Sequence, residues 1–174
     1  GNSASGNGGN ASVTVSGGKL VSSGIGGGNS STGNPGSITG INNNPGINIS
    51  GGTIITGSIG GGVNNSGAVG YASAVITGGD IIGQFIMKAS SLGSCSFVMS
   101  GGIIHDNDVI NDSKYTQVNG GAVYMDDPNG VGELSGGTIT SSSSENGGAV
   151  YMTAGLFTLS GTGVINSCTV NSNG

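Results

Sequence analysis

The chain has no arginine and no tryptophan, and its only basic side chains besides the single His105 are Lys19, Lys88 and Lys114. Charged residues make up 6% of its 174 positions, and the formal net charge is −5. Phosphate backbones are held by clustered Lys and Arg, so this composition excludes nucleic acid as a partner and argues equally against an anionic membrane surface. Apolar runs are short. None approaches the ~20 residues that cross a bilayer, so no membrane insertion is expected. Cysteine is limited to Cys95 and Cys168, which fall at different phases of the repeat set out below. They read as small buried hydrophobes rather than as a disulfide, because bridging needs Cα atoms within roughly 7 Å. One His and two separated Cys do not make a zinc site.

What the chain has in excess is glycine, at 40 residues, together with Ser, Asn and Thr. Glycine interrupts most windows of helical length, at about 1 kcal/mol per interior Gly relative to Ala. The apolar residues, 33% of the total, are placed periodically, unlike those of a disordered tract. Short runs such as Val13-Thr14-Val15, Ile47-Asn48-Ile49 and Thr138-Ile139-Thr140 alternate with period two and are bounded by Gly or Ser. The expected class is all-β.

A repeat organises these runs. Ser16, Ser50, Thr77, Ser100, Ser135 and Ser160 are each followed by glycine. One residue earlier stand Val15, Ile49, Ile76, Met99, Leu134 and Leu159, and three residues earlier stand Val13, Ile47, Ala74, Phe97, Gly132 and Phe157. Four residues later come Leu20, Ile54, Ile81, Ile104, Ile139 and Val164. Apolar columns that hold while the spacing drifts are the mark of a solenoid whose coils stack. The anchor intervals are 34, 27, 23, 35 and 25 residues. A coil of three short strands takes about two dozen residues, so the longer intervals carry insertions, expected at 26–45 and 106–119 and expected to project from the wall. The expectation is therefore a β-solenoid over 1–174, a right-handed parallel β-helix by the usual hand of parallel connections, with about six coils or more. Its ends look uncapped, which points to a segment of a longer chain or a filament unit that stacks end to end.

Gly120-Gly121-Ala122-Val123-Tyr124-Met125 recurs unchanged as Gly147-Gly148-Ala149-Val150-Tyr151-Met152, each copy preceded by Asn119 or Asn146. A looser copy begins at Ser66, and the two Asn suggest a stacked amide ladder at a turn. Gly-Gly-Ala followed by an aliphatic residue resembles the repeats of surface proteins with a pectin-lyase-like right-handed parallel β-helix, among them bacterial autotransporter passengers, polymorphic membrane proteins and adhesin-like proteins. Leu134 to Ile139 and Phe157 to Gly161 look like the same repeats. The resemblance covers residues 97–174 well and 12–96 more loosely. It implies an extracellular or cell-surface protein acting as a stalk, filament subunit or adhesin segment, with self-association or flanking solenoid segments as partners.

Asp106, Asp108 and Asp112 beside His105 form the densest acidic group, and Asp126-Asp127 is the one acidic doublet. A glycoside hydrolase needs two carboxylates flanking a sugar. Here the column alignment makes His105 a wall residue and Asp106 a turn residue, while Asp126-Asp127 runs into the turn-forming Pro128-Asn129-Gly130. No catalytic residue is assigned, and the chain is read as not an enzyme. The stretch from Asp106 to Asp112 lacks the spacing of a calcium loop, so no metal or cofactor is assigned. Gly24 to Gly28 has no Gly-Lys-Ser/Thr after it and reads as a turn rather than a phosphate cradle. Asn10, Asn29, Asn48, Asn64 and Asn111 each open an Asn-x-Ser sequon, candidates for N-glycosylation in an organism that performs it. The alternatives are a carbohydrate-binding or carbohydrate-processing β-helix, contacting glycans, and more distantly an ice-binding solenoid. The outward column Lys19, Thr53, Asp80, Ile103, Thr138, Gly163 is too irregular for a threonine lattice.

Overall fold

A computed structural model describes residues 5–39, 45–62, 70–88, 93–106 and 120–170. Among them are ten strands and no helix. They are β1 (Val13–Ser22), β2 (Ile25–Gly26), β3 (Ile47–Gly60), β4 (Ser73–Lys88), β5 (Ser96–Ile104), β6 (Val123–Thr140), β7 (Ser143–Ser144), β8 (Val150–Leu159), β9 (Val164–Asn166) and β10 (Thr169–Val170). The chain is all-β, and its main sheet is large and parallel. The order β1-β3-β4-β5-β6-β8 follows the sequence, with β2 beside β3, β9 beside β6, and the second half of β4 beside the start of β6. β10 and β7 form a separate parallel pair.

Strand register reproduces the columns read from sequence. Val15, Ile49, Ile76, Met99, Leu134 and Leu159 pair in succession, as do Val13, Ile47, Ala74, Phe97, Gly132 and Phe157. Their interior members, together with Ile54, Ile81, Ile104 and Ile139, are fully buried and form the core. Each such aliphatic side chain contributes about 1.5–3 kcal/mol on burial. The two Gly-Gly-Ala-Val-Tyr-Met segments also stack on one another, with Val123 opposite Val150 and Tyr124 opposite Tyr151.

The paired glycines serve two separate needs. The first lies over the preceding anchor's carbonyl, so that a Cβ on Gly101 would sit 2.4 Å from the Thr77 oxygen. The second turns the chain through the left-handed region, at φ 85° in both Gly52 and Gly102.

The final repeat departs from the expected alignment. Ile139 pairs with Ile165, not Val164, because Leu159 to Val164 holds one residue more than Leu134 to Thr138. The extra residue forms a turn in which the Gly163 N–H donates to the Ser160 carbonyl. Within the 26–45 stretch, part of the chain is buried. Pro35 to Ile38 are buried, and Ile38 bridges Ala11 on one side and Ala72 on the other. Its side chain belongs to the buried core cluster. Most of the second expected insert, 107–119, lies outside the described residues.

Candidate functional site

Three places merit functional reading: a tyrosine pair on an outer face, an acid–imidazole cluster, and the exposed end of the sheet. Because the repeated segments are in register, Tyr124 and Tyr151 stand on adjacent strands with ring centroids 5.7 Å apart. Lys88 Nζ lies 5.1 Å from the centre of the Tyr124 ring, a cation–π distance. Asp126 completes the group, accepting hydrogen bonds from the Tyr124 hydroxyl at 3.3 Å and from the Thr153 hydroxyl. Burial and the neighbouring Asp126 charge both push the Tyr124 hydroxyl pKa upward. The result is a half-buried aromatic ledge with one cation and one carboxylate beside it.

His105 replaces a wall residue in the outward column Val21, Ile55, Ile82, as its alignment implied. Its Nε2 lies 2.6 Å from Asp80 Oδ1 and its Nδ1 lies 2.7 Å from Asp106 Oδ2. Burial alone would lower the imidazolium pKa, but the hydrogen bonds and charges of Asp106 and Asp80 outweigh it and the net shift is upward. Asp106 sits in the left-handed region at φ 48°, matched by Ser141 at 48° and Ser167 at 51° at the same turn. Ser167, not Asn166, stands in the Asp106 column, by the same one-residue step. Asp80 was placed in an outward column by sequence but was not linked to His105. The signal available was the register, which sets it on the adjacent strand.

The acidic doublet divides. Asp126 faces the tyrosines, whereas Asp127 is only 2% exposed and accepts N–H bonds from Cys95 at 2.6 Å and Asn129 at 2.9 Å. The residues from Asp126 to Val131 form a bulge within β6 rather than a free turn. Both Asp127 carboxylate oxygens thus hold backbone N–H groups. Asp108, Asp112, Asn64, Asn111 and Asn119 lie outside the described residues. Among those described, no three His, Cys, Asp or Glu side chains are grouped to hold a metal ion. Cys95 is buried, its thiol pushed up to about 11 by burial, against the Ala72 N–H bond and with the Asp127 charge adding to the rise. Cys168 is half-buried, and both thiols are free.

Of the sequons, Asn10 and Asn29 are exposed, and Asn48 is half-buried in β3. Asn10 Oδ1 accepts the Ser37 N–H at 2.9 Å, leaving its amide nitrogen uncommitted by that bond, and Asn7 Oδ1 accepts the Asn34 N–H at 3.0 Å. These amides stitch segments 27 residues apart.

At the C-terminal end the inward columns surface. Leu159 is 53% exposed, whereas its column neighbours Leu134, Met99 and Ile76 are at 0%. Along the outward column, Val164 replaces the expected Gly163 as the partner of Thr138, and only Thr53 and Thr138 are threonines. Comparison with known proteins adds no relatives: no protein-family model, curated protein or solved structure matches this chain.

Proposed function

We propose that this chain is a non-enzymatic, extracellular structural β-solenoid, a right-handed parallel β-helix of about six coils serving as a surface stalk, filament subunit or adhesin segment. One observation carries the reading. A single apolar column runs through all six long strands and ends on an exposed Leu159, where a further strand of the same kind would fit. Resemblance of the Gly-Gly-Ala-Val segments to repeats of surface β-helices supports the extracellular placement. The mechanism is mechanical: successive coils bond along the axis, and stiffness follows from the ladder. Carboxylates already committed to His105, Thr153 and backbone N–H groups favour scaffold over catalysis. Sedimentation velocity and electron microscopy of the purified protein test it. Concentration-dependent end-to-end association, abolished by Leu159→Lys, is the expected result. Compact particles indifferent to that substitution count against the filament and stalk readings.

A second reading, a shallow glycan-binding face, is favoured by the Tyr124–Tyr151 ledge with Asp126 and Lys88 beside it. Sugar rings present C–H faces to aromatic rings and hydroxyls to carboxylates, and this ledge offers both. A glycan screen with the Tyr124→Ala, Tyr151→Ala double variant as control decides it.

A further inference from the structure

We propose that Asp80, His105 and Asp106 form a proton-dependent latch that ties β4 to the turn leaving β5, closed when the imidazole carries two protons and released when it loses one. The inference stands apart from the scaffold reading and rests on hydrogen-bond counting. An ionised carboxylate only accepts, and a neutral imidazole donates through a single nitrogen. Both ring nitrogens of His105 face carboxylate oxygens, at 2.6 and 2.7 Å. Only the imidazolium satisfies both contacts. With one proton removed, one nitrogen lone pair points at a carboxylate oxygen at hydrogen-bond distance, and that contact becomes repulsive.

The surroundings leave the imidazole few other partners. Asp80 comes from β4, the strand on one side, and Asp106 from the turn itself. On the other side β6 presents Thr138 and Thr140, and next to Asp80 on β3 stands Thr53, none of them titratable. The nearest cation in the Asp80 column is Lys19, on β1 beyond Thr53. Among the described residues, the two carboxylates are therefore the charges that face His105. The imidazole is 20% exposed and the carboxylates 47% and 46%, so water and protons reach the cluster. The turn it holds is the place where a latch matters, because Asp106 occupies the left-handed region that side chains other than glycine adopt at a cost. The His105 N–H, bonded to the Ile81 carbonyl at 2.9 Å, reports on whether this end of β5 stays paired.

The sign of the dependence follows from the raised pKa. The stabilisation is complete below the ordinary histidine value of about 6.5 and is lost as pH rises through the folded midpoint. His105 is the one histidine of the chain, so its ring resonances are unambiguous in a nitrogen-correlated NMR titration of the full chain. The expected result is a midpoint above 6.5, a doubly protonated ring below it, and a lower midpoint in both Asp80→Asn and Asp106→Asn. Hydrogen exchange at the His105 amide, corrected for intrinsic base catalysis, should lose about tenfold in protection for each unit by which the midpoint exceeds 6.5. His105→Gln should show no such step. A midpoint at or below 6.5, or amide protection that does not change across the titration, overturns the latch.

Discussion

Phe97 and Phe157 stack with ring centroids 6.3 Å apart and planes at 25°, although a whole strand lies between them. The strand in between contributes Gly132 to their column, and a Cβ there would sit 2.3 Å from Phe157 Cδ2. Small and large residues alternate along this column as Ile47, Ala74, Phe97, Gly132 and Phe157, so each ring leans over a vacancy left by its neighbour. Phe85 meets Phe97 edge to face at 5.2 Å and closes the cluster. Neighbouring layers are thereby keyed to each other in shape as well as hydrogen-bonded.

Filling that vacancy should destabilise the fold, and removing a ring beside it should destabilise it more. Gly132→Ala is expected to cost about 1–3 kcal/mol by overpacking. Phe97→Ala is expected to cost about 3–5 kcal/mol through the cavity it leaves. Urea denaturation with unchanged m-values checks both.

The glycine pairs allow their two roles to be separated. Nothing lies within 4 Å of a Cβ on Gly17 or Gly18, because β1 is the edge strand of the described sheet, but Gly18 has φ 75°. Gly17→Ala should fall within about 0.5 kcal/mol of the parent. Gly18→Ala should cost about 1–2 kcal/mol for the left-handed backbone alone. Gly101→Ala, in ordinary backbone but against the Thr77 carbonyl, should cost about 1–3 kcal/mol, and Gly102→Ala should be the most damaging of the four. Chemical denaturation of this set gives the ranking directly.

Asp127 holds a bulge together through two backbone N–H groups. Asp127→Ala strands both donors, at about 1–3 kcal/mol for each buried one. Asp127→Asn retains one acceptor oxygen and should fall between the two proteins. Thermal melts followed by circular dichroism order the three.

The thiols should differ in reactivity. Cys95 is buried with its pKa pushed up to about 11, and its thiol donates to the Lys88 carbonyl at 2.9 Å. A maleimide or disulfide reagent should therefore modify Cys168 first and reach Cys95 only on unfolding. Simultaneous labelling of both under native conditions would contradict the described packing.

Much of this was legible in the sequence, and the reasons lie in particular residues. The columns through Val15 and Val13 align because their offsets from the Ser-Gly anchor never change, whatever loop lies between. The stacking of the two Tyr-bearing segments follows from their identity. The last strand was misplaced by one position because Thr162 adds a residue inside the anchor itself. Ile38 carries no such signal, because a lone apolar residue amid Asn, Gly and Pro has no period. The Asp80–His105 contact was hidden for a third reason: the partners are 25 residues apart and off-column, so only the register of two adjacent strands brings them together.

In the proposed β-solenoid the strands run across the axis of a rod. X-ray diffraction from flow-aligned protein tests it most directly. The account predicts a reflection near 4.8 Å along the long axis of the aligned particles, from strands stacked rung on rung. The same spacing directed across the particle axis, or its absence from well-aligned material, would contradict it.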